Sequence, residues 1–223
     1  MTMLYKLKYL RIMPVAVALT FALCVSAQDE YWHQRVTLFD KLPVESAHIV
    51  MLGNSITDGG EFSELFNNEN VINRGIRNDV IRGVEKRLGQ VTSGHPSKIF
   101  LLIGINDISH NLTVDRLATD YEHLVKEIRR QSPESRLYIQ SVMPVNNDFK
   151  RYKNLTGKEK TIAKLNKRLE TIASCNGAVF IDLTKALSDS CGKLNKAYTN
   201  DGLHLTGAGY KTWAKTIRPY IEE

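Results

Sequence analysis

Two uninterrupted apolar runs, Ile49–Leu52 and Ile99–Ile103, each stop abruptly at small polar residues, Gly53-Asn54-Ser55 after the first and Gly104-Ile105-Asn106-Asp107 after the second. A strand with one wet face alternates apolar and polar residues, so a run without a polar break belongs to a strand buried on both faces. Leu137–Val142 and Ala178–Leu183 repeat the pattern, with a short strand at Val71-Ile72. Between them the period changes to that of a helix. Val80, Ile81, Val84, Leu88 and Val91 outline one helix from Asp79 onward, which Asp79 or Asn78 is placed to cap, and Leu117, Tyr121, Leu124, Val125 and Ile128 outline a second. Ile162, Leu165, Leu169 and Ile172 mark a third, with Thr156 and Glu159 spaced as a capping box, and Ala208–Ile221 a last one. Gln28–Glu45 predicts a short helix outside the sheet. Strand followed by helix, repeated about five times with short connections, specifies an α/β domain with helices on both faces of a parallel sheet.

At 223 residues the chain is long enough for one domain with a sizeable core. Its first 27 residues read differently: Lys6, Lys8 and Arg11 precede an apolar run from Ile12 to Val25, and Val25-Ser26-Ala27 ends in small residues. That layout predicts a secretory signal peptide over 1–27, a single domain over 28–223, and a secreted or periplasmic product without stable membrane insertion. Removing three basic and no acidic residues lowers the formal charge from +6 to +3. The densest basic stretch, Lys150–Arg168, holds Lys153, Lys158, Lys160, Lys164 and Lys167 but only Tyr152 as a stacking aromatic. It reads as a solvated helix face, and no nucleic-acid partner is expected. Cys175 and Cys191 either close a short loop or leave Cys175 buried and unpaired.

The carboxyl end of a parallel strand is where open α/β sheets place their ligands, which puts Ser55 in a crevice. A serine needs a base within hydrogen-bond reach to act as a nucleophile. Near the other end of the chain, Asn200-Asp201-Gly202-Leu203-His204 carries an acid three residues before a histidine on a glycine-punctuated loop. The carboxylate can fold back onto one ring nitrogen and leave the other to accept the serine proton, so Ser55, His204 and Asp201 form the expected triad. The oxyanion formed on attack needs fixed donors, and the candidates are the Ser55 N–H, the Gly75 N–H and the Asn106 side-chain amide. Thr57 stands where a Gly-x-Ser-x-Gly elbow would have its second glycine, which argues against the α/β-hydrolase arrangement. The other histidines, His33, His48, His95, His110 and His123, suggest no ligand cluster, so neither metal nor cofactor is expected.

Taken together, Gly53-Asn54-Ser55-Ile56-Thr57, Asn73-Arg74-Gly75-Ile76, Gly104-Ile105-Asn106-Asp107 and Asp201-Gly202-Leu203-His204 resemble the ordered motifs of the SGNH hydrolases, also called GDSL esterases. The resemblance spans Ile49 to about Tyr210. It implies a flavodoxin-like three-layer α/β/α sandwich with a five-stranded parallel sheet, Ser55 as nucleophile, His204 as base, Asp201 as its partner, and Gly75 and Asn106 in the oxyanion hole. The family's commonest form has aspartate before the serine, where this chain has Asn54. Gly-Asn-Ser forms are similar to members acting on small acyl groups, including carbohydrate O-acetylesterases and platelet-activating-factor acetylhydrolase-like proteins. The expectation is a secreted serine esterase acting on short acyl esters, first of all O-acetyl groups of soluble glycans. The alternatives are a lipid-directed acylhydrolase or lysophospholipase, and a non-catalytic glycan-binding module.

Overall fold

The computed structural model describes residues 30–223, and the leader expected over 1–27 lies outside them. The strands β1 (Ile49–Gly53), β2 (Val71–Gly75), β3 (Lys98–Leu102), β4 (Arg136–Gln140) and β5 (Val179–Ile181) form one sheet. Their order is β2-β1-β3-β4-β5, and all pairs are parallel. Every residue of β1 and β3 is buried, which is why their sequences carry no alternation. The one charged side chain in these two strands, Lys98, donates from Nζ to the carbonyls of Tyr220, Ile221 and Glu223 and so caps the last turn of the C-terminal helix.

The helices are α1 (30–39), α2 (Ser55–Asp58), α3 (Phe62–Phe66), α4 (Ile81–Lys86), α5 (Gly89–Thr92), α6 (Ile105–Ser109), α7 (Val114–Gln131), α8 (Glu159–Cys175), α9 (Thr184–Leu187) and α10 (Gly207–Glu222). α7 packs with α8, α4 and α5, while α10 packs with α3 and α9. The pleat assigns side chains to these two layers. Tyr138 stacks on Phe100 and meets Tyr220 of α10 edge-on, and Gln140 Oε1 accepts from the buried Trp213 indole of α10 at 2.7 Å. Leu137 and Ile139 alternate with them and face the opposite layer.

The strand order reverses at β1: the chain moves outward from β1 to β2 and then crosses back to β3. The connections leaving β1 and β3 therefore diverge to opposite sides, and a crevice opens between their carboxyl ends. Register pairs Gly53 with Leu102, so Ser55 and Asn106 leave the sheet side by side.

Several local expectations are corrected. β2 extends through Asn73, Arg74 and Gly75, placing the last of these inside the strand opposite Gly53. The helix expected from Asp79 to Val91 divides into α4 and α5, and the break falls beside Arg87, whose side chain turns into the core. Neither Asn78 nor Asp79 caps α4; its N-cap is Val80, without a side-chain bond. Thr156 and Glu159 form no capping box: Thr156 closes the 3-10 turn Lys153–Leu155, and the Glu159 carboxylate accepts from Asn147 Nδ2 instead. Cys175 and Cys191 are both exposed free thiols.

Arg87 joins the strand ends. Its Nε donates to Asp79 Oδ2 at 2.7 Å, and its two terminal nitrogens donate to Arg74 O at 2.9 Å and Gly53 O at 3.1 Å. Both side chains of the pair are 1% exposed. Burial pushes the Asp79 carboxyl up and the Arg87 guanidinium down, and the bonds between them oppose both shifts. Removing one partner leaves a charge stranded in the core, so Arg87→Leu is expected to cost about 3–5 kcal/mol. Urea denaturation would register this as a lower midpoint, and a loss within the error of that measurement would show that Asp79 finds compensation elsewhere.

Candidate active site

The strand-to-helix turn after β1 is built from three residues with separate tasks. A Cβ on Gly53 would lie 2.3 Å from both Leu102 O and Thr57 Oγ1, so no other residue fits where β1 meets β3 and α2. Asn54 is 1% exposed, and its side-chain oxygen accepts the Ile56 N–H at 3.1 Å, starting α2 without placing a charge in the core. Ser55 follows at the first position of α2, half-buried.

Asp201 and His204 come together through one self-contained loop. Thr199 Oγ1 accepts from Gly202 N at 2.9 Å, and Asp201 Oδ1 accepts from the N–H groups of Leu203 at 2.9 Å and His204 at 2.8 Å. Gly202 has φ +89°, and a Cβ there would strike Asn146 O at 2.2 Å. The turn brings Asp201 Oδ2 to 2.8 Å from His204 Nδ1, and His204 Nε2 lies 3.0 Å from Ser55 Oγ. Partial burial pushes the Asp201 carboxyl up, but hydrogen bonds from His204, the Leu203 and His204 backbone and Tyr152 outweigh it and hold the pKa at about 2. Asp201 is therefore ionised throughout the neutral range and fixes the Nδ1–H tautomer of His204.

Tyr152 joins this pair, which its sequence context did not indicate. Its hydroxyl donates to Asp201 Oδ2 at 2.9 Å and lies 3.0 Å from His204 Nδ1. Burial and the neighbouring carboxylate push the Tyr152 phenol up to about 12, so it stays a donor. The only signal in the sequence was that Tyr152 is the lone aromatic of a basic stretch.

On the other side of Ser55, Asn106 lies in the first turn of α6 and donates from Nδ2 to Asp79 O at 2.9 Å, which leaves its second amide hydrogen free to face the cleft. Gly75 is placed otherwise than the sequence suggested. Its N–H donates to Asn73 Oδ1 at 2.7 Å, and a Cβ would lie 2.2 Å from Asp58 N, so this glycine lets α2 pack on β2 and offers no donor to the cleft. Asn78, three residues further on, lies in the left-handed region at φ +61°. It lines a cleft of about 380 Å³ together with Ser55, Asn106, Ser109, Tyr152 and His204, and its N–H has no partner among the described residues. No group of three or more His, Cys, Asp or Glu side chains among the described residues could hold a metal ion.

Residues 51–212 match the model of the GDSL-like lipase/acylhydrolase family. The chain belongs to that family. Membership places it among the ester hydrolases. A Streptococcus protein provisionally described as a platelet activating factor is 29% identical, superimposes with a TM-score of 0.80, and is matched over 93% of this chain and 99% of its own. A variant of an acetyl-xylooligosaccharide esterase from Geobacillus shares the fold at 18% identity and a TM-score of 0.65, over 81% of this chain and 96% of its own. An N-acylneuraminate cytidylyltransferase of Escherichia coli is 30% identical over 128 residues, 56% of this chain; the hydrolase spans only 28% of that curated relative's length.

The family's third motif also carries Asp107, which is 4% exposed and accepts the Ile81 N–H on both carboxylate oxygens, at 3.2 and 3.3 Å. Burial raises its pKa to about 6. The ordinary value is about 4, so stability falls as pH rises from about 4 to about 6 and stays lower above that window. Asp107→Asn keeps an acceptor for Ile81 and removes the buried charge. Its melting temperature relative to wild type is expected to be higher at pH 8 than at pH 4.5, and thermal melts at the two pH values would expose the opposite order directly.

Proposed function

We propose that this hydrolase is a secreted serine esterase that cleaves short-chain acyl esters, principally O-acetyl groups on carbohydrates, with Ser55 as nucleophile, His204 as base and Asp201 as its partner. The observation that carries the reading is the unbroken relay from Asp201 Oδ2 through His204 to Ser55 Oγ, at 2.8 and 3.0 Å, facing an open cleft. His204 Nε2 takes the Ser55 proton as the hydroxyl attacks the ester carbonyl, and the imidazolium then protonates the departing alcohol. Water repeats the sequence and releases the acid. The oxyanion rests on the Ser55 N–H and the second amide hydrogen of Asn106; Asn78 N–H replaces Gly75 as the third donor, since the Gly75 N–H is occupied.

The substrate assignment draws on the lining. Asn78, Ser109 and Asn154 offer hydrogen-bonding groups suited to a hydroxylated alcohol, and the apolar members Leu155 and Leu203 are both buried. No described helix is long and apolar enough to cross a membrane, and the expected leader accounts for export. A binding module on the same fold would have no need of a serine, a histidine and a carboxylate in mutual hydrogen-bond contact.

Hydrolysis of p-nitrophenyl acetate, butyrate and octanoate by the purified mature chain is the primary test. Turnover is expected to be highest on acetate, to fall with chain length and to vanish in Ser55→Ala; preference for octanoate would instead favour a lipid-directed enzyme, and no serine-dependent turnover would favour the binding module. Tyr152→Phe removes one donor from Asp201 while keeping the ring, and is expected to lower kcat about 3- to 10-fold with a smaller change in KM. Steady-state kinetics on acetate measure both constants, and an unchanged kcat would remove Tyr152 from the acid–base pair.

A further inference from the structure

The basic stretch Lys150–Arg168 is divided by the fold into two parts with different surroundings. Lys160, Lys164 and Lys167 lie on α8, as a solvated helix face should. Arg151 and Lys153 do not: they precede α8 and line the cleft beside Ser55 and His204. The segment that bears them is fixed at three points. Tyr152, between the two, is tied to Asp201 and His204; Leu155 is buried; and Leu155 O accepts from Asn147 Nδ2 at 3.2 Å. The cations therefore stand over the reaction site because the residue between them is part of it.

Neither Arg151 nor Lys153 has an ion-pair partner among the described residues. The sequence from Phe149 to Lys158 holds no acid, and the flanking acids are engaged elsewhere. Asp148 pairs with Lys193 at 2.7 Å and Lys196 at 3.6 Å, and Glu159 accepts from Asn147. Among the described residues no carboxylate lines the cleft. Asp201 lies behind His204 and Asp107 is buried under Ile81. The opposite wall, Asn78 and Ser109, is neutral and polar.

We propose that Arg151 and Lys153 form an anion subsite, and that the ester this enzyme prefers is an O-acylated sugar whose alcohol half carries a negative charge. This rests on the esterase reading above and narrows its substrate. A cleft with two unpaired cations on one wall concentrates anionic ligands and orients them, whereas a neutral glycan gains nothing from that wall. The guanidinium fork of Arg151 fits either a carboxylate or a phosphate, and the charge belongs on the alcohol half because the acyl half of the proposed substrate is a short neutral acetyl group.

The test compares kcat/KM on three acetylated methyl glycosides with the ester at the same position: a neutral hexoside, the corresponding uronic acid and the corresponding 6-phosphate. p-Nitrophenyl acetate serves as the check on the esterase itself. At low ionic strength a charged sugar is expected to be preferred over the neutral one about tenfold, through KM, with the preference shrinking in 1 M salt. The charged sugar preferred identifies the anion. In the double variant Arg151→Gln/Lys153→Gln, substituted at exposed positions, the charged-to-neutral ratio is expected to fall at least fivefold. Equal kcat/KM on all three sugars, or a ratio unmoved in the double variant, overturns the subsite. Serine-dependent cleavage of p-nitrophenyl acetate with none of any sugar also overturns it and leaves the esterase standing, while no serine-dependent cleavage of any ester removes both.

Discussion

The geometry of the site depends first on the buried Asp79–Arg87 pair. One guanidinium holds the carbonyls of Gly53 and Arg74, at or next to the ends of β1 and β2, together with the carboxylate of Asp79 on the following loop. Asp79 in turn accepts the Asn106 amide on its own carbonyl, and Asp107 accepts the Ile81 N–H, so the loops after β2 and β3 are stitched in both directions. The three chain segments that meet there are the ones carrying Ser55, Asn78 and Asn106. Loops are ordinarily the mobile part of an α/β fold. Here the cation under them, bonded to all three partners, leaves little room for one loop to move without the others, which is the preorganisation that the proposed oxyanion donors would need.

The Asp201–His204 side is organised differently. Asp201 and His204 need only their own loop, since the carboxylate takes two backbone N–H groups with one oxygen and the imidazole with the other. Bringing that loop to Ser55, 149 residues away, is the work of α10. Its first turns dock back on the serine turn: the Tyr210 hydroxyl donates to Ile56 O at 2.8 Å, and Trp213 meets Phe62 of α3 edge-on. Lys98 holds the far end of the same helix. α10 thus acts as a rod set against the sheet at one end and against α2 at the other, and the histidine loop just before it has its position fixed by both.

How much of this the sequence revealed follows from the range of each interaction. Strands buried on both faces announce themselves as unbroken apolar runs, and an acid three residues from a histidine is a local unit, so the sheet and the meeting of Asp201 with His204 were readable without coordinates, and the fold brings Ser55 to them. Gly75 was read as a donor because a glycine after a strand leaves its N–H direction unstated. The extended β2 and the Asn73 side chain two residues earlier decide that direction, and the cleft position passes to Asn78, whose left-handed backbone has no sequence marker beyond its being asparagine. Tyr152 was unreadable for another reason. Its partner His204 lies 52 residues away, and nothing in a basic, non-periodic stretch says where the fold will carry it. The capping box failed similarly, since a longer-range contact to Asn147 outbid the local one for Glu159.

Under the esterase reading, two cations and one carboxylate surround the same histidine, each from a different setting. Arg151 and Lys153 are exposed, where water and salt screen the fields of unit charges. Asp201 touches the ring at 2.8 Å from a partly buried position and remains ionised down to about pH 2. Its carboxylate is the group in contact with Nδ1, and the two cations line the open cleft. Tyr152 stands between the two regimes: its backbone belongs to the cationic wall and its hydroxyl to the carboxylate. The cationic wall and the Asp201–His204 pair are thus held in register by one phenol, so the proposed subsite and the proposed proton relay share a single anchor.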